Sequence, residues 1–132
     1  MADAVEITGT VFKDGSATLM ARVIGADAAA VLQADIDSIS YTIYLLDQAD
    51  PDTATPVDGH EDVACAVADT IHDTLQDDDR WTLDAIGYNF RHVLAVAAHA
   101  AFATAGRNYR IVFTLTPAAG EVVLVRFRVH CT

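Results

Sequence analysis

The stretch Ile36 to Leu46 alternates with a period of two along its length. Ile39, Tyr41, Ile43 and Leu45 fall on one face, and Ser38, Ser40, Thr42 and Tyr44 on the other. Side chains of an extended chain point alternately to opposite sides, so this segment is expected to be a strand with one face on a core. The pattern returns near the C-terminal end. Tyr109, Ile111, Phe113 and Leu115 face one way, then Val123, Val125, Phe127 and Val129 do the same, with Thr116-Pro117-Ala118-Ala119-Gly120 between them. Two alternating runs around a Pro- and Gly-bearing connection predict a hairpin.

The rest of the chain reads in the same terms. Val5 to Phe12 is β-branched and alternating, Lys13-Asp14-Gly15-Ser16 supplies a turn of the Asp-Gly type, and Ala17 to Ile24 sets Leu19, Ala21 and Val23 on one side. Gly25-Ala26-Asp27 breaks that strand, and Ala28 to Leu32 fits either one helical turn or a loop. Asp47 to Gly59, with two prolines and four aspartates, reads as an exposed connection. Val63 to Val67 is a short strand. A helix is expected next, capped by Asp69, with Val67, Ile71 and Leu75 on one stripe and an acidic end at Gln76 to Arg80. Trp81 and Leu83 are apolar anchors before Gly87. Tyr88 to Val96 is a strand carrying Tyr88, Phe90, His92 and Leu94 on alternate positions, and Phe102 is expected to plug the core. About seven strands with one short helix, not alternating with helices, predict a mostly β, antiparallel sandwich in a single domain over residues 1–132.

Composition supports a packed core without staples: 132 residues, 52% of them hydrophobic, exclude the disordered class. The start, Met-Ala-Asp-Ala-Val-Glu, lacks the features of a secretory peptide, and no apolar run reaches the roughly 18 residues of a membrane span. A soluble protein made in a cytoplasm is expected. The net charge of −11 is unevenly spread. Residues 1–84 hold 18 acids against Lys13, Arg22 and Arg80, whereas residues 85–132 hold Glu121 against Arg91, Arg107, Arg110, Arg126 and Arg128. Such a balance argues against nucleic acid, which requires a large basic footprint, and disfavours an anionic membrane. The asymmetry suits a protein that meets copies of itself through opposite patches; basic strands beside acidic loops within one domain would give the same split.

Catalytic patterns are not evident. The sequence holds no Gly-x-Ser-x-Gly elbow, His-Glu-x-x-His or glycine-rich phosphate loop, and His60, His72, His92, His99 and His130 lack metal-ligand spacing. Cys65 and Cys131 lie in no zinc-type spacing, and with no secretory context a disulfide between them is not expected. The clusters Asp47, Asp50, Asp52 and Asp77, Asp78, Asp79 offer hard oxygen ligands but not the order of a calcium loop, so they read as solvated loops. No metal or cofactor is expected, and the chain reads as a non-enzyme. One surface stands out. Arg126, Arg128 and His130 fall on the outer face of the last strand, with Arg110 on the matching face of its hairpin partner. Adjacent like charges repel, so they either pair with aspartates of the same chain or form a contact surface for an acidic patch on a neighbouring subunit.

The segment Phe102-Ala103-Thr104-Ala105-Gly106-Arg107-Asn108-Tyr109, followed by an alternating strand and a terminal hairpin, resembles the penultimate-strand entry of immunoglobulin-like domains. The resemblance implies a tyrosine corner in which the Tyr109 hydroxyl bonds to nearby backbone while Gly106 allows a tight approach. The tryptophan and bridging cysteines of antibody domains have no counterparts at matching places. The layout from Thr18-Leu19-Met20-Ala21-Arg22-Val23 through Ile39-Ser40-Tyr41-Thr42-Ile43-Tyr44 to Tyr88-Asn89-Phe90-Arg91-His92 is similar to small structural proteins of tailed bacteriophages. That likeness implies a virion protein, decorating a head or completing a neck or tail. Its partners would be other copies of itself or other virion proteins, in a homo-oligomer within the particle. The competing expectation is a stand-alone cellular immunoglobulin-like module for a protein, peptide or glycan, with an exposed aromatic patch around Trp81, Tyr88 and Phe90.

Overall fold

The computed structural model describes residues 6–25, 29–50, 52–79, 81 and 85–132. Leu83, one of the expected anchors, and Ala26 to Ala28 lie outside the described residues. Nine strands are present among them: β1 (Glu6–Val11), β2 (Thr18–Ala21), β3 (Ile36–Leu46), β4 (Ala54–Pro56), β5 (Val63–Cys65), β6 (Ile71–Gln76), β7 (Tyr88–Val93), β8 (Asn108–Pro117) and β9 (Val123–Cys131). A 3-10 turn, Gln33–Asp35, precedes β3, and one helical turn, α1 (Val67–Thr70), precedes β6. The larger sheet runs β1-β9-β8-β3-β4, with β5 also on β3, and the smaller runs β2-β7-β6.

Two sequence expectations change here. The helix predicted through Leu75 is a single turn, with Ala66 rather than Asp69 at its N-cap position, and the chain then extends into β6. Ile71 is fully buried opposite Phe90, whereas Leu75 is 37% exposed. Ile71 is β-branched and gains little from a helix, and β6 pairs with β7 at Ile71 and Gln76 instead. The sandwich is also not wholly antiparallel. Rather than pairing with β2 as a hairpin, β1 lies parallel to β9, with Ile7 opposite Phe127 and Val11 opposite Cys131. The Asp-Gly turn is present, with Asp14 at φ 60° and the Gly15 N–H donating to the Phe12 carbonyl at 2.9 Å. It carries the chain from one sheet to the other.

The predicted alternation places the core. Ile39, Tyr41 and Ile43 of β3, Tyr109, Ile111, Phe113 and Leu115 of β8, and Val125, Phe127 and Val129 of β9 are all buried. Leu19, Ala21, Phe90 and Leu94 cover them from the smaller sheet. The Phe90 ring meets Phe113 edge-on, centroids 4.8 Å apart, and lies 6.1 Å from Phe127, so the two layers share one aromatic centre. Each such side chain contributes roughly 1.5–3 kcal/mol through burial. Leu45 is partly buried and packs against this core as the alternation predicts, and Leu46 beyond it is buried as well. Phe102 is fully buried and meets the Tyr109 ring edge-on at 5.2 Å.

Two polar features complete the frame. Asn89 is 1% exposed, although period-two reading of β7 gave it no inward role. Its Oδ1 accepts from the Val23 N–H at 2.7 Å, and its Nδ2 donates to the carbonyls of Val23 and Val31 at 3.0 and 3.1 Å. The side chain thus takes the place of strand pairing where β2 ends. Gly87, at φ +109°, enters β7 so close to β6 that a Cβ there would stand 2.6 Å from the Gln76 carbonyl oxygen.

Candidate interaction surface

Residues directly opposite in neighbouring strands share a face, so the register defines rows across the outer side of the larger sheet. One row runs Pro56, Tyr44, Arg110, Arg128, Thr8 from β4 to β1. The next runs Thr42, Val112, Arg126, and another holds Asn108, His130 and Thr10. Arg110 and Arg128 therefore stand directly across from each other, with Arg126 two residues along β9. The four expected basic residues are brought together on one face.

Their environments differ. All three arginines are half-buried, and His130 is exposed with its Nδ1 2.9 Å from Asn108 Oδ1. The Arg126 Nε is buried and has no hydrogen-bond partner among the described residues. Among the residues whose side chains are described, none offers Arg126 or Arg128 a carboxylate within ion-pairing distance. A half-buried arginine can lay its stem on apolar surface, and its guanidinium carries planar pairs of donors that match a carboxylate. Arg107 is committed elsewhere, donating from Nη2 to the Leu46 carbonyl at 2.8 Å.

Many of the acidic residues are exposed on loops, among them Asp47, Asp50, Asp52, Asp58, Glu61 and Asp62, and two of those loops are built. In the first, Asp47 Oδ1 accepts from the N–H groups of Ala49 and Asp50 at 2.8 and 3.0 Å, and Asp50 holds the Asp52 N–H and the Thr53 hydroxyl. The N–H groups of Asp50 and then Ala49, with Arg107 nearby, lower the Asp47 pKa. These carboxylates cap a turn. Among the described residues no group of three or more His, Cys, Asp or Glu side chains is arranged to hold a metal.

The second loop, 57–62, is anchored by His60, which no motif or spacing in the sequence marks. His60 is 2% exposed; its Nε2 lies 2.7 Å from the His99 carbonyl and its Nδ1 2.9 Å from the Tyr41 hydroxyl. A carbonyl only accepts, so Nε2 carries the proton and, in the neutral ring, Tyr41 donates to Nδ1. The Ile43 N–H donates to the His60 carbonyl, the Val57 N–H to Ile43, and the Asp62 N–H to Thr42 Oγ1. The loop thereby wraps the β3 edge, and Asp58, Glu61 and Asp62 are exposed around a fixed centre. Beside it, burial pushes the Cys65 thiol up to about 11, and desolvation raises Tyr41 and lowers His92.

The remaining candidates fall as follows. The Tyr109 hydroxyl accepts from the Thr104 N–H at 3.1 Å. Gly106 is not a site of close approach: a Cβ there would meet nothing within 4 Å, and glycine is needed for its φ of +84° while its N–H donates to the Cys131 carbonyl. The expected aromatic patch is not a surface, because Tyr88 and Phe90 are 1% and 0% exposed; Trp81 is half-buried with its ring 5.7 Å from Tyr88. Cys65 and Cys131 are both free. A groove of about 380 Å³ lies between β1 and β2, floored by Leu19, Phe127 and Val129 with Trp81 at its side. No protein-family model, curated protein or solved structure matches the chain.

Proposed function

We propose that this chain is a non-catalytic structural building block, an immunoglobulin-like sandwich that binds neighbouring subunits through the outer face of its larger sheet in a virion. The observation that carries the assembly reading is the pair Arg126 and Arg128: half-buried, side by side, and without a carboxylate in ion-pairing reach among the described side chains, on a chain of net charge −11. Holding like charges adjacent costs free energy in the isolated subunit, and a carboxylate-bearing neighbour repays it. The immunoglobulin-like reading is supported by strand order. The smaller sheet follows the B-E-D order of such domains and β9-β8-β3-β4 follows G-F-C-C′. The bond from the Thr104 N–H to the Tyr109 hydroxyl supports a tyrosine corner at the start of β8. The virion setting rests on the similarity in layout to small tailed-phage structural proteins.

Sedimentation velocity on wild type and on the double variant Arg126→Glu, Arg128→Glu tests the assembly face. The expected result is association in the wild type, with weaker association in a variant that unfolds at a similar temperature. Unchanged association in a folded variant would overturn the reading. Peptide mass spectrometry of purified particles tests the setting: the chain is expected at a fixed ratio to the major shell protein, and its absence refutes a virion role.

A further inference from the structure

The rows that gather the arginines also align them with the anchored acidic loop. Thr42, Val112 and Arg126 are consecutive members of one row across β3, β8 and β9. Thr42 is only 8% exposed although it belongs to the outer face, and its hydroxyl accepts the Asp62 N–H at 3.0 Å. The 61–62 segment therefore borders the outer face at the β3 side. Strands lie about 4.8 Å apart, so this acidic border and the Arg126–Arg128 column stand roughly 10 Å from each other, with Val112 between them. The loop does not hang free, because His60 is held at both ring nitrogens and at its backbone. One face thus carries a rigid acidic border, an apolar and hydroxyl-bearing middle, and a basic column.

Such a face is complementary to itself under a half turn. Laid on a second copy with the two-fold axis near Val112, Arg126 and Arg128 of each subunit meet Glu61 and Asp62 of the other, and both contacts form at once. That axis runs along the strands; a half turn about the axis across them sets the β9 column on itself, arginine on arginine. We infer that the outer face of the larger sheet pairs with the same face of a second copy of this chain in a closed two-fold dimer, held by reciprocal contacts between Arg126 and Arg128 and the Glu61–Asp62 border. This rests on the assembly reading above and names its partner. The five strands β1, β9, β8, β3 and β4 hold 6, 9, 10, 11 and 3 residues, which make a face on the order of 600 Å², the same order as the roughly 800 Å² per partner of a standard stable interface. A symmetric face-to-face contact closes at two subunits and leaves the other surfaces for the rest of a larger assembly.

The test is a charge swap read by sedimentation equilibrium and native mass spectrometry, with circular dichroism melts as a fold control. Variant one is Arg126→Glu, Arg128→Glu; variant two is Glu61→Arg, Asp62→Asn, the asparagine chosen because Asp62 has a φ of 51°. Wild type is expected to stop at a dimer whose Kd rises with salt. Each folded variant alone is expected to have a Kd at least tenfold weaker, and an equimolar mixture of the two to regain a mixed dimer near wild-type affinity. A wild type that stays monomeric at several hundred micromolar, or a mixture that fails to pair, overturns the dimer. If variant one loses association and variant two keeps it, the self-pairing is refuted while the arginine face as a contact for some other acidic subunit survives. Open-ended growth beyond two subunits refutes the two-fold geometry.

Discussion

Replacing Asn89 with alanine strikes at a position where one side chain stands in for strand pairing. Three hydrogen bonds end on it, and all three partners are backbone groups of Val23 and Val31, themselves buried. The truncation leaves the Val23 N–H and the Val31 carbonyl without their Asn89 partner, while the Val23 carbonyl keeps the Val31 N–H at 3.1 Å. Each stranded group costs about 1–3 kcal/mol, and the second less than the first where the segment relaxes, so the expected loss is about 2–4 kcal/mol. Against a typical total of 5–15 kcal/mol, this lowers the melting temperature by about 10 °C. Urea unfolding followed by the fluorescence of Trp81, whose ring packs on Tyr88 next to Asn89, reads the change directly. Asn89→Asp sharpens the test. It keeps an acceptor for the Val23 N–H but turns a carboxylate toward two carbonyl oxygens, which raises the folded-state pKa of the new acid. The variant is therefore expected to be most stable below the ordinary aspartate pKa and to weaken as pH rises through the raised folded value. An Asn89→Ala protein within about 1 kcal/mol of wild type, or an Asn89→Asp protein indifferent to pH between 3 and 7, would show that the network does not hold the end of β2.

Three further outcomes follow from the site. Tyr109→Phe removes the acceptor of the Thr104 N–H and nothing else, so it should cost about 1–2 kcal/mol in denaturant unfolding without changing the fold. His92 is held below its ordinary pKa of 6.5 by burial, so its contribution is present above that value and is lost as pH falls through the folded one. Melting temperature should drop from pH 7 to pH 5, and His92→Phe, which keeps the ring contacts to Tyr41 and Phe113, should flatten that dependence. Burial raises the Cys65 thiol from 9.0 to about 11, which leaves roughly a hundredfold less thiolate near pH 8. Alkylation of the native protein by iodoacetamide should be slower by about that factor than in 6 M guanidinium, and equal rates would contradict the buried setting.

Legibility in the sequence followed how many neighbours a residue needs in order to declare itself. The bounds of β3 match the predicted strand at both ends, and the inward sets of β8 and β9 are the predicted ones, because alternation is written in each strand alone. β6 reads locally as helix because Val67, Ile71 and Leu75 satisfy a helical stripe, and only β7 supplies the pairing that favours extension. Asn89 and His60 do not stand out for a related reason. A polar residue in a strand or loop looks solvated until the elements that enclose it are known.

By itself, the chain of residues determined that the protein is mostly β, which side chains of its long strands turn inward, and that four basic groups share one face of the terminal hairpin. Those properties depend on periodicity and nearest neighbours along the strand. Tertiary structure alone decided that β1 runs parallel to β9, that His60 pins an acidic loop over the edge of β3, and that this border shares a row with Arg126. The physical reason is that such pairings join residues tens of positions apart, where the free energy of the completed sheets, rather than any local preference, selects the partner.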